Sequence, residues 1–576
     1  MSPPGPSLEK RLRSLTRITP TRALAAAITL IGLALRLWGI TWSLPTTLHP
    51  WATYHPDETI NLQAAEQADI PHVRLDIGFY NYGAFDFYLV SLAQTIARGY
   101  GLVPAVTTPP AEPTAPRAVQ AASAMEANRA QRRALFLCGR LVSVLLGTLT
   151  IPLVYLLGLR VYNRKAGAAA ALLYAFAPLA ALHAHFFTVD VPATFFVAGT
   201  LLAAERMTRE ASGRAIAVAA VWCGLAAATK YTAAMALVAP ATALYLCPGL
   251  VRRARIQRLA ALGAGTAAVF LVACPGIWLN WHAFWYGSYP GEGVRYELLV
   301  HSRTGHGLLF VHTGSGWWYH LVVSLPFGLG VPLLLAALAG CWYALARRTP
   351  AEVAQLAFVA VTYLVTGFSQ VRFARYMLPL FPPLCVLAGG VLFAPYTRPA
   401  CRIAARIAAA MALVTTGVYG FTLVRLLTLP DPRDRAAAWL NLHAPPAASV
   451  AFAETPWFFA PPLSPLLGAP DAPARAMAAA QCTRYRLLMP AAEWDAGALK
   501  QRPNYVVLSN FETMHAVYRL HLAYAMAFMN AIPKDYARHL FASPRPWLMP
   551  SDGPLIPDDL LYVMPRITVY ARPGSS

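Results

Sequence analysis

Apolar runs of about 20 residues, nearly free of charge, recur along this chain from Ala23 to about residue 427 and constrain its fold more than any other feature. A run of that length matches the hydrocarbon thickness of a bilayer, and a chain of 576 residues with 57% hydrophobic and 13% charged residues has too little polar surface to enclose so much apolar chain in water. The sequence therefore predicts an α-helical polytopic membrane protein. Spans are expected near 23–42, 134–159, 166–182, 191–205, 214–229, 231–248, 258–275, 321–346, 352–368, 374–396 and 403–427, about eleven transmembrane helices. The first follows Lys10, Arg11, Arg13, Arg17 and Arg22; its length, and the lack of a small-residue cleavage site after it, favour a retained span over a signal peptide.

The formal charge of +21 is not a nucleic-acid signature, because the basic residues sit between apolar runs rather than along one face, and no nucleic-acid partner is expected. Alternate connections carry them: the N-terminus, Arg160/Arg164/Lys165, Arg206/Arg209/Arg214, Arg252/Arg253/Arg255/Arg258, Arg347/Arg348 and Arg398/Arg402/Arg406. The positive-inside rule then puts the N-terminus in the cytoplasm and, with eleven spans, the C-terminus outside the cytoplasmic membrane. Eight scattered cysteines without a CxxC pair argue against a zinc ribbon or a disulfide framework.

Residues 1–427 read as the membrane domain, with two long outer loops, 43–133 and 276–320. The first contains the amphipathic segment "NYGAFDFYLVSLAQTIARGYG", expected as a juxtamembrane helix, and a Pro/Ala-rich excursion from Val103 to Pro116. Residues 428–576 change to polar, Pro-rich and aromatic composition and predict a small outer α/β domain. Its helices are expected in "DRAAAWLNLHA" and "TMHAVYRLHLAYAMAFMN", its strands in "ASVAFAE", "NYVVLSNF" and "RITVYAR".

On that orientation the unusual ionisable residues collect on the outer side: Asp57 and Glu58 in "YHPDETI", Asp190, Lys230, Arg372 and Arg375. Pro56 followed by two acids also suits a helix start, where each carboxylate favours the dipole by about 0.3–1 kcal/mol. For Lys230 and the two arginines the plain explanation is snorkelling to the outer headgroups, which suits Lys230 less well in its tight turn "AAATKYTAA"; ionisable groups at membrane depth otherwise need a partner or a task. Arg36 is expected to snorkel to the outer headgroups. Cations within reach of acids on the outer face suggest binding of a phosphate carried on a lipid.

Four segments, "YHPDETINL", "FFTVDVPATFF", "GLAAATKYTAAMAL" and "RFARYMLPLFPPL", in this order and spacing resemble the membrane-embedded GT-C glycosyltransferases, in the bacterial branch related to protein O-mannosyltransferases and the lipid A aminoarabinose transferase. The resemblance covers roughly residues 20–430. It implies a GT-C fold and a hexosyl- or pentosyltransferase that takes a sugar from polyprenyl phosphate to an unidentified protein, lipid or glycan acceptor on the outer face. It implies Asp57 or Glu58 as the base, Asp190 as a second acid, and Lys230 and Arg375, with Tyr376 beside the latter, as the phosphate site. His55, Tyr82, Tyr231 and Arg372 complete the expected substrate-binding set. One departure is Tyr82-Gly83-Ala84, where relatives often carry an aromatic-Pro-Pro segment. A base plus a phosphate clamp suffices for a single displacement with inversion.

His185, His301 and His306 are the residues to consider for a divalent cation. With no HExxH or fixed ligand spacing, hydrogen-bonding loop histidines are the preferred reading and no cofactor is required. The alternative activity is a transporter or flippase of lipid-linked sugars, which predicts polar groups at the bilayer midplane and internal repeats.

Overall fold

The computed structural model describes residues 20–109, 116–304, 306–468, 475 and 481–575. The basic residues Lys10, Arg11, Arg13 and Arg17, and positions 110–115 of the Pro/Ala-rich excursion, lie outside them.

Each of the eleven apolar runs is helical. Six helices among the described residues are long and apolar enough to cross a membrane: Pro20–Leu37, Arg129–Val161, Arg252–Ala273, Pro350–Gly367, Ala374–Leu392 and the helical stretch beginning at Pro399. The expected span 321–346 is not straight. Gly316–Leu329 and Val331–Arg347 meet at 117°. The break is Gly330, at φ +82°, a backbone region that a side chain strains, with Pro332 two residues on in the first turn of the next helix.

Close helix packing rests on small residues, as expected where lipid supplies no hydrophobic drive between helices. A Cβ on Gly158 would meet Gly167 Cα at 2.8 Å, and a Cβ on Gly340 would meet the Leu387 carbonyl at 2.3 Å. Ala166–Ala171 buries its small side chains against these neighbours. Arg129–Val161, 33 residues, extends about 50 Å and so outruns a bilayer core of about 30 Å. Its surplus turns carry Arg132 and Arg140 into the loop layer, where Arg132 pairs with Glu66 at 2.8 Å. Arg36 does not reach lipid headgroups: it is fully buried, donating to the Gly32 and Ala175 carbonyls at 3.1 Å and lying over the Tyr174 ring.

The described residues of the first long loop include three helices before the next long one, Pro56–Gln67, Phe85–Gly99 and Arg117–Ala127, the second from the amphipathic segment. The turn between the first two is pressed against the membrane part at Gly83, where a Cβ would fall 1.9 Å from the Ala228 carbonyl oxygen. That contact seats the loop two residues from Lys230.

Beyond residue 430 a five-stranded sheet has the order β2-β1-β3-β5-β4, with β1 Ser449–Phe452, β2 Arg486–Leu488, β3 Tyr505–Ser509, β4 Ala537–Ala542 and β5 Arg566–Ala571. β1 is parallel to β2 and β3, and β5 is antiparallel to β3 and β4. Pro432–His443 covers one face through Ala436, Ala437 and Leu440; Ala523–Ala531 covers the other through Ala525 and Phe528. β2 and β4 were not anticipated: one is three residues long, and the other is an edge strand of mixed polarity, "ARHLFA". The expected single helix over 513–530 is interrupted, a wide turn at Met514–Arg519 ending before His521 at φ +47°.

Replacing Gly83 with Ala forces the loop away from Ala228. Thermal unfolding of the detergent-solubilised protein is expected to show a loss of about 1–3 kcal/mol, whereas Gly99→Ala in the same loop, where a Cβ meets nothing within 4 Å and φ is not positive, serves as the control for the substitution itself.

Candidate active site

The charged residues singled out on the outer side converge from four separate places in the chain. Asp57 lies in the first turn of Pro56–Gln67, and Asp190 opens the 18-residue helix Asp190–Met207, positions where helix dipoles favour carboxylates. Lys230 follows the last residue of Gly213–Thr229, the end that favours a cation. Arg375 stands in the tight turn Ala374–Leu380.

Arg375 is the hub. Its Nη2 donates to Asp57 Oδ2 at 3.0 Å, its Nη1 to Asp559 Oδ1 at 3.0 Å, and its Nε lies 3.8 Å from Asp190 Oδ2. The other oxygen of Asp190 accepts from Lys230 Nζ at 2.6 Å. Lys230 also lies over the Tyr376 ring at 4.6 Å, and the Arg375 guanidinium over Phe373 at 3.9 Å. Tyr231 donates from its hydroxyl to the Tyr80 and Tyr82 carbonyls, at 3.0 and 2.8 Å, and so fixes the loop that carries Tyr82.

Two connected cavities adjoin this cluster. The larger, about 1140 Å³, is lined by Asp57, Arg375 and Glu292 together with Trp457, Phe459, Phe511 and Tyr562 of the α/β domain. The smaller, about 520 Å³, is lined by Lys230 and by the apolar residues Phe358 and Val365 of the Pro350–Gly367 helix and Phe368 just after it. Asn81, Tyr82, Glu297, His301 and Tyr376 line both, and form the partition between them. Burial pushes the Glu297 carboxyl up to about 7, against the opposing pull of an Asn81 amide that donates to it at 2.8 Å. Burial holds His301 down at about 4, with the neighbouring His306 adding to the shift, so its imidazole is neutral at ordinary pH.

Several expected site residues fall elsewhere. Glu58 is not a companion base to Asp57: successive residues on a helix start point apart, and Glu58 is fully buried behind the cavity. Both of its oxygens take Arg140, at 2.8 and 2.7 Å, and they also accept from the Phe187 amide and the Thr53 hydroxyl. Its burial would raise the carboxyl's pKa, but Arg140 outweighs this and holds it below its usual value. His55 is wholly buried against Phe186 and Tyr562 rather than facing the cavity. Arg372 turns from Arg375 to brace the second loop, donating to the Thr313 hydroxyl at 2.6 Å and the Gly314 carbonyl at 2.7 Å. His185 bonds the Ala181 and Trp38 carbonyls. His301 and His306 do meet, with ring centroids 4.9 Å apart, yet no group of three or more metal-ligating side chains occurs among the described residues.

Sequence reading missed Asp559, Glu297 and Arg140. Arg140 had a visible signal, a lone arginine within "ALFLCGRLVSVLL". Asp559 had none, because its partners lie 184 and 185 residues away.

Breaking the buried Glu58–Arg140 pair leaves an uncompensated charge. Glu58→Gln is expected to cost about 3–5 kcal/mol of stability, read as loss of monodisperse protein on size exclusion. Asp57→Asn, at a half-buried cavity edge, should remain folded. Since the Glu58 pKa is depressed on folding, its contribution is complete above the unfolded value of 4.5 and fades as pH falls through the lower folded value.

Residues 135–278 match the family model of dolichyl-phosphate-mannose-protein mannosyltransferases. No curated protein matches the chain. Among solved structures, ArnT from Cupriavidus metallidurans bound to undecaprenyl phosphate is similar at 14% identity and a TM-score of 0.48, over 96% of this chain and 98% of that one. The Archaeoglobus fulgidus oligosaccharyltransferase AglB, in complex with an inhibitory peptide and a dolichol-phosphate, is similar at 14% identity and 0.47, over 93% and 74%. The Saccharomyces cerevisiae Pmt1–Pmt2 complex bound to its sugar donor gives 16% and 0.32, over 46% and 35%. The matched family segment contains both Asp190 and Lys230, and through it the chain resembles the GT-C membrane glycosyltransferases of the protein O-mannosyltransferase type.

Proposed function

We propose that this protein is a membrane glycosyltransferase that moves a sugar from a polyprenyl-phosphate donor to an acceptor on the outer face of the cytoplasmic membrane. The observation that carries the reading is the partition: an acid, Asp57, lies on one side, and a cation, Lys230, lines the apolar cavity on the other. The apolar cavity suits a prenyl chain that enters between helices, and Lys230 and Arg375 suit its phosphate. The family match of residues 135–278 supports the same reaction class.

Asp57 is the base in this reading. Its carboxylate takes the proton of the acceptor hydroxyl as that oxygen attacks the anomeric carbon, which would be worth on the order of 10²–10⁴ in rate. The bond from the anomeric carbon to the phosphate oxygen breaks on the opposite side of the sugar. Lys230 and Arg375 stabilise the charge gained by the departing phosphate, so that no separate acid is needed. Tyr82 and Tyr376 present flat surfaces beside the sugar, Tyr231 fixes the loop that carries Tyr82, and Asp190 keeps Lys230 directed at the phosphate. Asp57 lines the larger cavity and Lys230 the smaller, while Arg375 stands beside Asp57; one base with a phosphate clamp suffices for a single displacement with inversion. Glu58 orders the loop beneath Asp57, and Arg372 the loop over the cavities.

The positive-inside pattern supports a cytoplasmic N-terminus and an extracytoplasmic α/β domain beyond residue 428. Asp190 and Arg206 sit at opposite ends of one helix, in keeping with the site at the outer edge. A flippase would need its polar path at midplane.

Transfer of radiolabelled sugar from a panel of polyprenyl-phosphate sugars, with protein abundance matched, tests the reading. The wild type is expected to transfer one of them and Asp57→Asn to transfer it at least 100-fold more slowly. Equal rates would remove Asp57 as the base, and transport without transfer would replace the reading by the flippase.

Glu297 predicts a pH dependence of donor binding. Its carboxyl, at about 7, is neutral in weak acid and charged in weak base, where it opposes a phosphate beside Lys230. The ligand's own second ionisation, at about pH 6, is common to both proteins, so the affinity of the wild type for polyprenyl phosphate relative to that of Glu297→Gln should fall from pH 6 to pH 8, measured by calorimetry in detergent.

A further inference from the structure

The α/β domain does more than cover the cavity. Its short turn Asp558–Leu561 reaches into the membrane part, where Leu560, Leu561, Val563 and Met564 join the main hydrophobic core beside residues of the spanning helices. The two acids of this turn point in different directions. Asp558 faces back into its own domain and accepts from His515 Nε2 at 2.7 Å. Asp559 faces the membrane part and is wholly buried.

Asp559 grips two consecutive residues. Oδ2 accepts from the Ala374 amide at 2.7 Å, and Oδ1 from Arg375 Nη1 at 3.0 Å. His183 Nε2 lies 3.4 Å from the same Oδ1. Backbone and side chain are thus fixed together at the start of the turn that carries Arg375. The contact is made from behind: Asp57 and Arg375 line the larger cavity, and Asp559 lines neither cavity. Asp559 therefore takes one edge of the guanidinium and leaves Nη2 and Nε to the side where Asp57 and Asp190 stand. The Arg375 guanidinium and His183 hold the Asp559 carboxyl well below the usual carboxylate range, so it is charged.

We propose that Asp559 is a positioning residue for Arg375, through which the α/β domain completes the transfer site. The inference rests on the reading of Arg375 as a cation for the donor phosphate. A guanidinium free to rotate would meet the incoming phosphate in many orientations. Held by Asp559, it presents one edge to the phosphate that departs.

Two measurements on the full-length protein in detergent test this. The first is a double-mutant cycle of thermal midpoints with Asp559→Asn, Arg375→Gln and the double variant. Arg375→Gln leaves the buried Asp559 without its guanidinium, and Asp559→Asn leaves Arg375 with one carboxylate fewer, so the double variant is expected to be less destabilised than the sum, and to recover folded protein if Arg375→Gln alone yields little. The second is the split between kcat and donor KM in Asp559→Asn, which keeps the shape and removes the charge. Arg375, with one anion fewer, binds ground-state phosphate more tightly and loses its fixed direction. Donor KM is expected to fall several-fold while kcat falls at least tenfold. A purely architectural role would lower the amount of active protein, and so apparent kcat, with donor KM unchanged. Additive midpoints, or an unchanged KM, would overturn the proposal. Non-additive midpoints in a protein whose wild type transfers no sugar would overturn the transferase reading and still support the grip of Asp559 on Arg375.

Discussion

One buried guanidinium ties this molecule together. Arg375 receives Asp57 from the first long loop, Asp190 from the start of the helix Asp190–Met207 and Asp559 from the α/β domain, so three parts of the chain more than a hundred residues apart meet on one cation. Three carboxylates around a single arginine would repel one another without it, and a buried arginine without them would bear a large desolvation cost. Lys230, bonded to Asp190, shares the excess of negative charge. The arrangement leaves the cluster short of positive charge. Lys230 gives one of its three N–H donors to Asp190 and lines the smaller cavity, where its remaining donors are left for an anion.

The helical, membrane-compatible character of the apolar runs and four of the charges that meet in the candidate site were legible in the sequence, and the reason is chemical. In an apolar chain each charge is conspicuous, so Asp57, Asp190, Lys230 and Arg375 could be picked out before any contact was known. What the sequence could not carry is direction. Asp57 and Glu58 are neighbours with the same chemistry, yet a helix start turns one towards the cavity and the other into Arg140; Arg372 and Arg375, three residues apart, part company because Phe373 and Ala374 introduce a tight turn rather than a helix. Asp559 was invisible for a different reason. A polar, Pro-rich domain contains many acids, and nothing local marks the one that leaves its own domain.

The bend at Gly330 shows the same limit for the fold. Composition alone reads 321–346 as one apolar run of suitable length. A positive φ followed by Pro332 turns it into two helices at a steep angle. The first of these, Gly316–Leu329, is thereby laid close to the turn of Arg375, and Arg372 binds the loop that leads into it.

The partition of Tyr82, Glu297, His301 and Tyr376 has a consequence for how such a catalyst would be supplied. On the proposed reading the prenyl chain would occupy the smaller cavity and the acceptor the larger, and because the two cavities share only the partition residues in their lining, neither substrate would have to pass the place the other occupies. Loading in either order becomes possible, and saturation obeys two different measures of abundance: the mole fraction of carrier lipid in the bilayer for one substrate, the bulk or surface density of hydroxyl-bearing acceptor for the other.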